Sequence, residues 1–143
     1  MLRRLARILL VVALGTALAT AALTPPAVAQ EPPTLTATLT GATLVAKGAA
    51  VDVAATYSCA SDTTSATIGV EVTQRVGGNR LATGIGSTSG LVCDGAEHTT
   101  TVRVVADGGI AFKKGDAVAE GTTVACNPFT CLFLPFPATV RIR

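Results

Sequence analysis

The chain has 143 residues, 49% of them hydrophobic, 14% charged and only 3% aromatic, with a formal net charge of +2. That apolar content excludes a disordered polyelectrolyte, and the shortage of rings argues against a stacking platform for sugars or single-stranded nucleic acid. Three of the eleven basic residues, Arg3, Arg4 and Arg7, stand ahead of a long apolar run; the remainder sets eight basic residues against nine acidic ones, with no basic cluster to neutralise a row of phosphates, so nucleic acid is not an expected partner.

Residues 1–29 read as a secretory signal peptide. Met1 to Arg7 is basic without an acid, Ile8 to Ala22 is uncharged and apolar, and Ala27-Val28-Ala29 offers the small residues a signal peptidase needs, so a mature chain is expected from Gln30. An uncleaved anchor is the alternative, but Pro25-Pro26 would break its helix. Arg3-Arg4 followed by Leu-Ala-Arg does not make a twin-arginine signal, and no cysteine adjoins the cleavage site for lipid attachment. Pro137 to Arg143 has neither an apolar tail nor a sorting motif, so a freely released extracellular protein without a stable membrane anchor is expected. Residues 30–143 suffice for one domain.

Past a short lead, Gln30 to Pro33, the pattern is alternation of period two. Leu35, Ala37 and Leu39 alternate with threonines up to Gly41, and Ala42 to Ala46 continues after a kink. Lys47-Gly48 turns the chain into the clearest strand, where Val51, Val53, Ala55, Tyr57 and Cys59 share a face. Ile68, Val70 and Val72 follow the same rule, and Gly77-Gly78-Asn79 predicts a hairpin with Arg80 to Ile85. Leu91 to Cys93 reads as a short strand and Asp94-Gly95 as a tight turn into His98 to Val105, with Thr100, Val102 and Val104 inward. After Asp107-Gly108-Gly109, strands are expected at Ala117 to Val124 and Ala138 to Ile142. No window shows the three-four spacing of an amphipathic helix. About seven short strands predict an all-β fold, an immunoglobulin-like antiparallel β-sandwich, with a closed barrel as runner-up.

The four cysteines, Cys59, Cys93, Cys126 and Cys131, form an even set suited to two disulfides in an oxidising compartment. Asn-Pro-Phe-Thr between Cys126 and Cys131 has turn chemistry that brings them together, favouring 126 with 131 and 59 with 93. The competing bridge, Cys59 with Cys126, would imitate the inter-sheet bridge of antibody domains, but the chain has no Trp to pack on it. Paired short cysteine motifs are absent and there is one His, so no zinc site is expected.

Ala55-Thr-Tyr-Ser-Cys59, Val72-Thr-Gln74, Cys93-Asp-Gly95 with His98, Phe112-Lys-Lys-Gly115 and the Cys126–Cys131 segment together resemble an uncharacterised family of small secreted immunoglobulin-like proteins from high-GC Gram-positive bacteria. The resemblance implies a sandwich with the favoured disulfides and carries no function. The Cys126–Cys131 spacing is also similar to the hairpin of the antitumour apo-chromoproteins, secreted sandwiches with a ligand cleft beside it.

Chemistry is sparse. His98 lies near Asp94 and Glu97, yet on a strand Glu97 and His98 point to opposite faces, and no second His or nucleophile elbow completes a catalytic set. Lys113-Lys114 reads as a solvated turn, and no metal or cofactor is expected. Asn127 to Pro137 stands out instead: a disulfide-pinned, proline-stiffened loop carrying Phe129, Leu132, Phe133, Leu134 and Phe136. Its ordering entropy is largely lost before binding, which suits a contact surface. The expected function is a non-enzymatic secreted module that binds a protein or surface through these side chains. The alternatives are a carrier of a small apolar ligand beside the Cys126–Cys131 hairpin and, last, a secreted hydrolase. The same side chains could instead close one end of the core, so their exposure decides among the first two and this bland alternative.

Overall fold

The computed structural model describes residues 31–143; the signal peptide expected at 1–29 and its cleavage site lie outside the described residues. Alternation of apolar and polar side chains resolves into seven strands: β1 (Leu35–Val45), β2 (Ala50–Cys59), β3 (Ser65–Gly77), β4 (Arg80–Ser89), β5 (Glu97–Asp107), β6 (Gly115–Cys126) and β7 (Cys131–Ile142). A single 3₁₀ turn, Ala46–Gly48, joins β1 to β2. Odd-numbered strands run one way and even-numbered strands the other, so the β1–β2, β3–β4 and β5–β6 turns share one end of the molecule, the upper end. The other three connections share the lower end, where both disulfides lie.

The expected two-sheet sandwich is corrected here: the strands close into a barrel in the order β1-β2-β5-β4-β3-β6-β7. Two blocks are bonded along their length, β1-β2-β5 and β4-β3-β6-β7, and two short junctions near the upper end join them. One is the three-pair contact from Thr83↔Asp107 to Ile85↔Val105. The inward side of β4 carries no side chain at Gly84 and Gly86, and the carbonyls of Val105 and Arg103 occupy that space, which lets β4 bend over the β5 backbone as strands do at barrel corners. The other junction follows from the bulge between Leu39 and Gly41, beyond which β1 meets β7 in parallel at Ala42↔Ile142. There the Leu44 N–H donates to Arg143 O and the Arg143 N–H to Ala42 O, both at 3.0 Å.

Toward the lower end the β1–β7 junction opens, for a reason written in the sequence. Alternate residues of a strand aim their backbone groups the same way, so Pro135 and Pro137 share Arg143's direction toward β1. Neither has an N–H to donate. Both prolines therefore leave the β6–β7 ladder whole and blunt the free edge of β7.

The core is filled by small and β-branched side chains, among them Val51, Val53, Ile68, Val72, Val102 and Ile142, all at most 1% exposed. Thr100, Val102 and Val104 share the inward face as expected, the two valines fully buried and Thr100 half-buried toward the lower end. Phe112 plugs the upper end, its ring beside Gly84 and its carbonyl against Gly48. Buried Gln74 holds that plug: its Oε1 accepts from the Lys113 N–H and its Nε2 donates to Lys113 O, both at 2.8 Å. Gln74→Leu strands both Lys113 backbone groups, and we expect it to cost about 2 kcal/mol in urea unfolding.

Leu91 to Cys93 does not form the expected strand. Residues 90–96 instead cross the lower end as a tethered connection: Cys93 is bridged to Cys59, the Val92 N–H donates to Tyr57 Oη (3.1 Å) and the Gly95 N–H to Cys59 O (2.9 Å). The second bridge joins Cys126 to Cys131. Both favoured disulfides thus form, the state of an oxidising compartment. No helix among the described residues is long and apolar enough to cross a membrane.

Candidate functional site

The segment read from sequence as a loop from Asn127 to Pro137 is mostly strand, a second correction: β7 begins at Cys131 and pairs with β6 throughout, from Cys126↔Cys131 to Gly115↔Ile142. Its prolines hid this, since proline in a strand interior normally signals a break, and only an edge position admits it. The true loop is Asn127 to Thr130. Asn127 Oδ1 accepts from the N–H groups of Phe129 and Thr130, both at 3.0 Å, and the Asn127 N–H donates to Thr130 O at 2.9 Å. With Pro128 fixing its own φ and the disulfide closing the base, the turn has little freedom left to lose.

This turn pushes Phe129 outward, 69% exposed. Alternation along β7 then sorts the rest. Phe133, on the outer face opposite Val124, is 64% exposed, while Leu132 and Phe136 point inward and are half-buried. Leu134 shares their side of the strand but is exposed, at 44%, at the rim of the open seam. The Phe136 ring lies over Gly121, its cross-strand partner, in the space a side chain would need. The five candidate residues therefore divide: Phe129 and Phe133 stand exposed as the apolar tip of the β6–β7 hairpin, Leu132 is half-buried, and Leu134 and Phe136 line a groove of about 280 Å³ with Leu35, Ala37, Thr123 and Pro135. Phe136 packs against the core from the seam, but the five do not close either end of the barrel. Phe112 closes the upper end, and Tyr57 with the bridged connection closes the lower.

His98 and Asp94 do meet, Nε2 to Oδ1 at 2.8 Å, while the Ala96 N–H donates to the same oxygen at 2.8 Å. The His98 bond first, and then the Ala96 N–H, hold the Asp94 carboxyl below its ordinary value. A carboxyl lowered in the folded state stabilises above its unfolded pKa and loses that contribution as pH falls through the folded one. The pair thus fastens the turn into β5 at neutral pH, with both side chains partly open to solvent.

Two features were not read from sequence. Glu71 and Glu120 are direct cross-strand partners on the outer face, a like-charged pairing that costs stability. The other is the placement of cations: Lys47, Arg80, Lys113 and Lys114 lie in or beside the upper turns, with Arg75, Arg141 and Arg143 at the upper ends of β3 and β7. Folding makes a basic cluster that the linear order disperses.

No curated protein matches the sequence. Its family is nonetheless defined, since a model matches residues 33–143, all seven strands included: the chain belongs to DUF6299, a family of unknown function.

Proposed function

We propose that this protein is a secreted, non-enzymatic binding module whose contact surface is the β6–β7 tip, with Phe129 and Phe133 as its anchors. The exposure of Phe129 on a turn already fixed by a disulfide, Pro128 and the Asn127 side chain, and of Phe133 on the outer face of the strand that follows it, is the observation that carries the proposal. Aromatic side chains are the usual anchors of protein contacts, and a preordered turn loses little entropy on docking. A basic apolar leader and two disulfides support export to an extracellular site.

The carrier alternative rests on the groove beside Leu134 and Phe136. At about 280 Å³ the groove lies open along the seam instead of enclosing its contents, whereas ligand pockets bury most of the surface of what they hold, which favours the tip. Native mass spectrometry of protein from culture supernatant checks this: a co-purifying small molecule would transfer the proposal to the groove.

A photo-crosslinking amino acid at Phe133 tests the tip, with the same group at Thr101 on the far β1-β2-β5 face as control. Irradiation in culture supernatant should give a discrete adduct from position 133 and none from 101. Adducts from both positions, or from neither, would sink the proposal. Phe129→Ser with Phe133→Ser should abolish partner capture while changing stability by no more than about 0.5 kcal/mol, because both rings are exposed.

A further inference from the structure

We infer that the upper end of the barrel docks on an anionic lipid bilayer, an association independent of the tip and of its proposed partner. Seven of the eight cations in the described residues belong to that end: Lys47, Arg80, Lys113 and Lys114 around the rim, Arg75, Arg141 and Arg143 just below it. The eighth, Arg103, is committed, its Nε and a terminal guanidinium nitrogen each 2.8 Å from a carboxylate oxygen of Asp52. None of the seven has a carboxylate within ion-pair distance among the described residues, although Asp116 lies across the strands from Arg141. Among the described residues the acids at this end are Asp52, Asp107 and Asp116; Asp52 is taken up by Arg103, and Asp107 is hydrogen-bonded to the Thr83 hydroxyl. The lower end is the reverse: Glu31, Asp62, Asp94 and Glu97 with no Lys or Arg.

A near-neutral chain has thus become a strongly dipolar molecule. Such a field orients it at a negative surface, basic end inward and the Phe129 tip outward. The shape of the basic end favours a plane over a strand-like polymer. Its cations come from three separate turns and two strand ends, spread around the end closed by buried Phe112 rather than along a line, and among the described residues no exposed aromatic ring is present there to stack a base. Leu81, exposed beside Arg80, is an apolar side chain suited to the headgroup region.

Each Lys or Arg held near an anionic bilayer raises partitioning about fivefold, and the effect fades within a Debye length. The secreted protein should co-sediment with phosphatidylglycerol–phosphatidylcholine vesicles at about 0.05 M salt, be released at about 0.5 M, and ignore pure phosphatidylcholine. Lys113→Glu with Lys114→Glu should lower the partition coefficient by at least about 25-fold. Arg141→Glu with Arg143→Glu, which leaves the Lys113 residue held by Gln74 unchanged, should do the same and guards against a folding defect in the first variant. Phe129→Ser with Phe133→Ser should leave vesicle binding unchanged, so this test is blind to the fate of the tip proposal. Equal binding to neutral vesicles, insensitivity to both charge reversals, or binding to soluble polyphosphate without binding to vesicles would each overturn the inference.

Discussion

Alanine at Gly86 is expected to destabilise the protein by about 3 kcal/mol or more, far beyond what one methyl group on a strand ordinarily costs. The space it would enter holds the carbonyl of Arg103, with the Arg103 carbonyl carbon at 2.7 Å and the Val104 Cα at 3.1 Å from the new Cβ. These are backbone atoms in β5, whose register is fixed from its other side by β2 from Ala50↔Val105 to Ser58↔Glu97. Neither strand can yield alone, so β4 must lift away, and the three β4–β5 pairs that close the barrel go with it. Gly121→Ala is the informative comparison. Its methyl group would fall on the Phe136 ring, a half-buried side chain at the open seam that can swing outward. That variant should lose about 1–2 kcal/mol, and Phe136→Ala should largely remove the penalty, whereas no side-chain truncation should rescue Gly86→Ala. Urea unfolding of the variants measures the costs, and hydrogen exchange should show faster exchange in β4 and at the upper end of β5 for Gly86→Ala alone. Equal losses at the two glycines would mean that barrel closure does not depend on close approach of the β4 and β5 backbones.

The elements were legible wherever side-chain alternation set them. The Val51-to-Cys59 face, the Gly77-Gly78-Asn79 hairpin, the kink at Gly41 and both disulfides follow from local chemistry, and all are present in the fold. What sequence hid was closure. Alternation reports which face of a strand is buried and is silent about which edge pairs with which, so a sandwich and a barrel predict the same pattern. The cue for the β4–β5 corner was present in Gly84 and Gly86, but an isolated glycine in a strand reads first as weak propensity. At the candidate site the residues were found and the local structure was not. Phe129, Phe133 and Phe136 were singled out together, yet their division between tip and groove depends on strand parity, and Pro135 and Pro137 had masked the strand. Charge went furthest astray, because seven cations dispersed from Lys47 to Arg143 gain a common end only through the up-and-down order of the strands.

Removing the Cys59–Cys93 bridge should cost about 4 kcal/mol and removing Cys126–Cys131 about 2, a difference that follows from the 34-residue and 5-residue separations they close. Against the 5–15 kcal/mol typical of a domain, the first loss is of order a third or more of the total. Location adds to loop length. The connection from 90 to 96 spans the lower end where β4 and β5 have parted, and beyond the bridge it is held mainly by the Tyr57–Val92 and Cys59–Gly95 hydrogen bonds and the Asp94–His98 pair. Without Cys93 those contacts must carry the ordering of seven residues alone, so Cys59→Ser with Cys93→Ser should both lower the urea midpoint and raise hydrogen exchange from 90 to 98. The Cys126→Ser with Cys131→Ser variant should keep its fold, since β6 and β7 stay paired from Ala125↔Leu132 upward and Asn127 still bridges the turn. Beyond that loss of about 2 kcal/mol, the effect should appear at the tip: looser ordering of Phe129 and weaker crosslinking from position 133. If the two double variants proved equally unstable, chain entropy would not be the source of either bridge's effect, and the short bridge would be part of the core's support rather than a brace for the Phe129 turn.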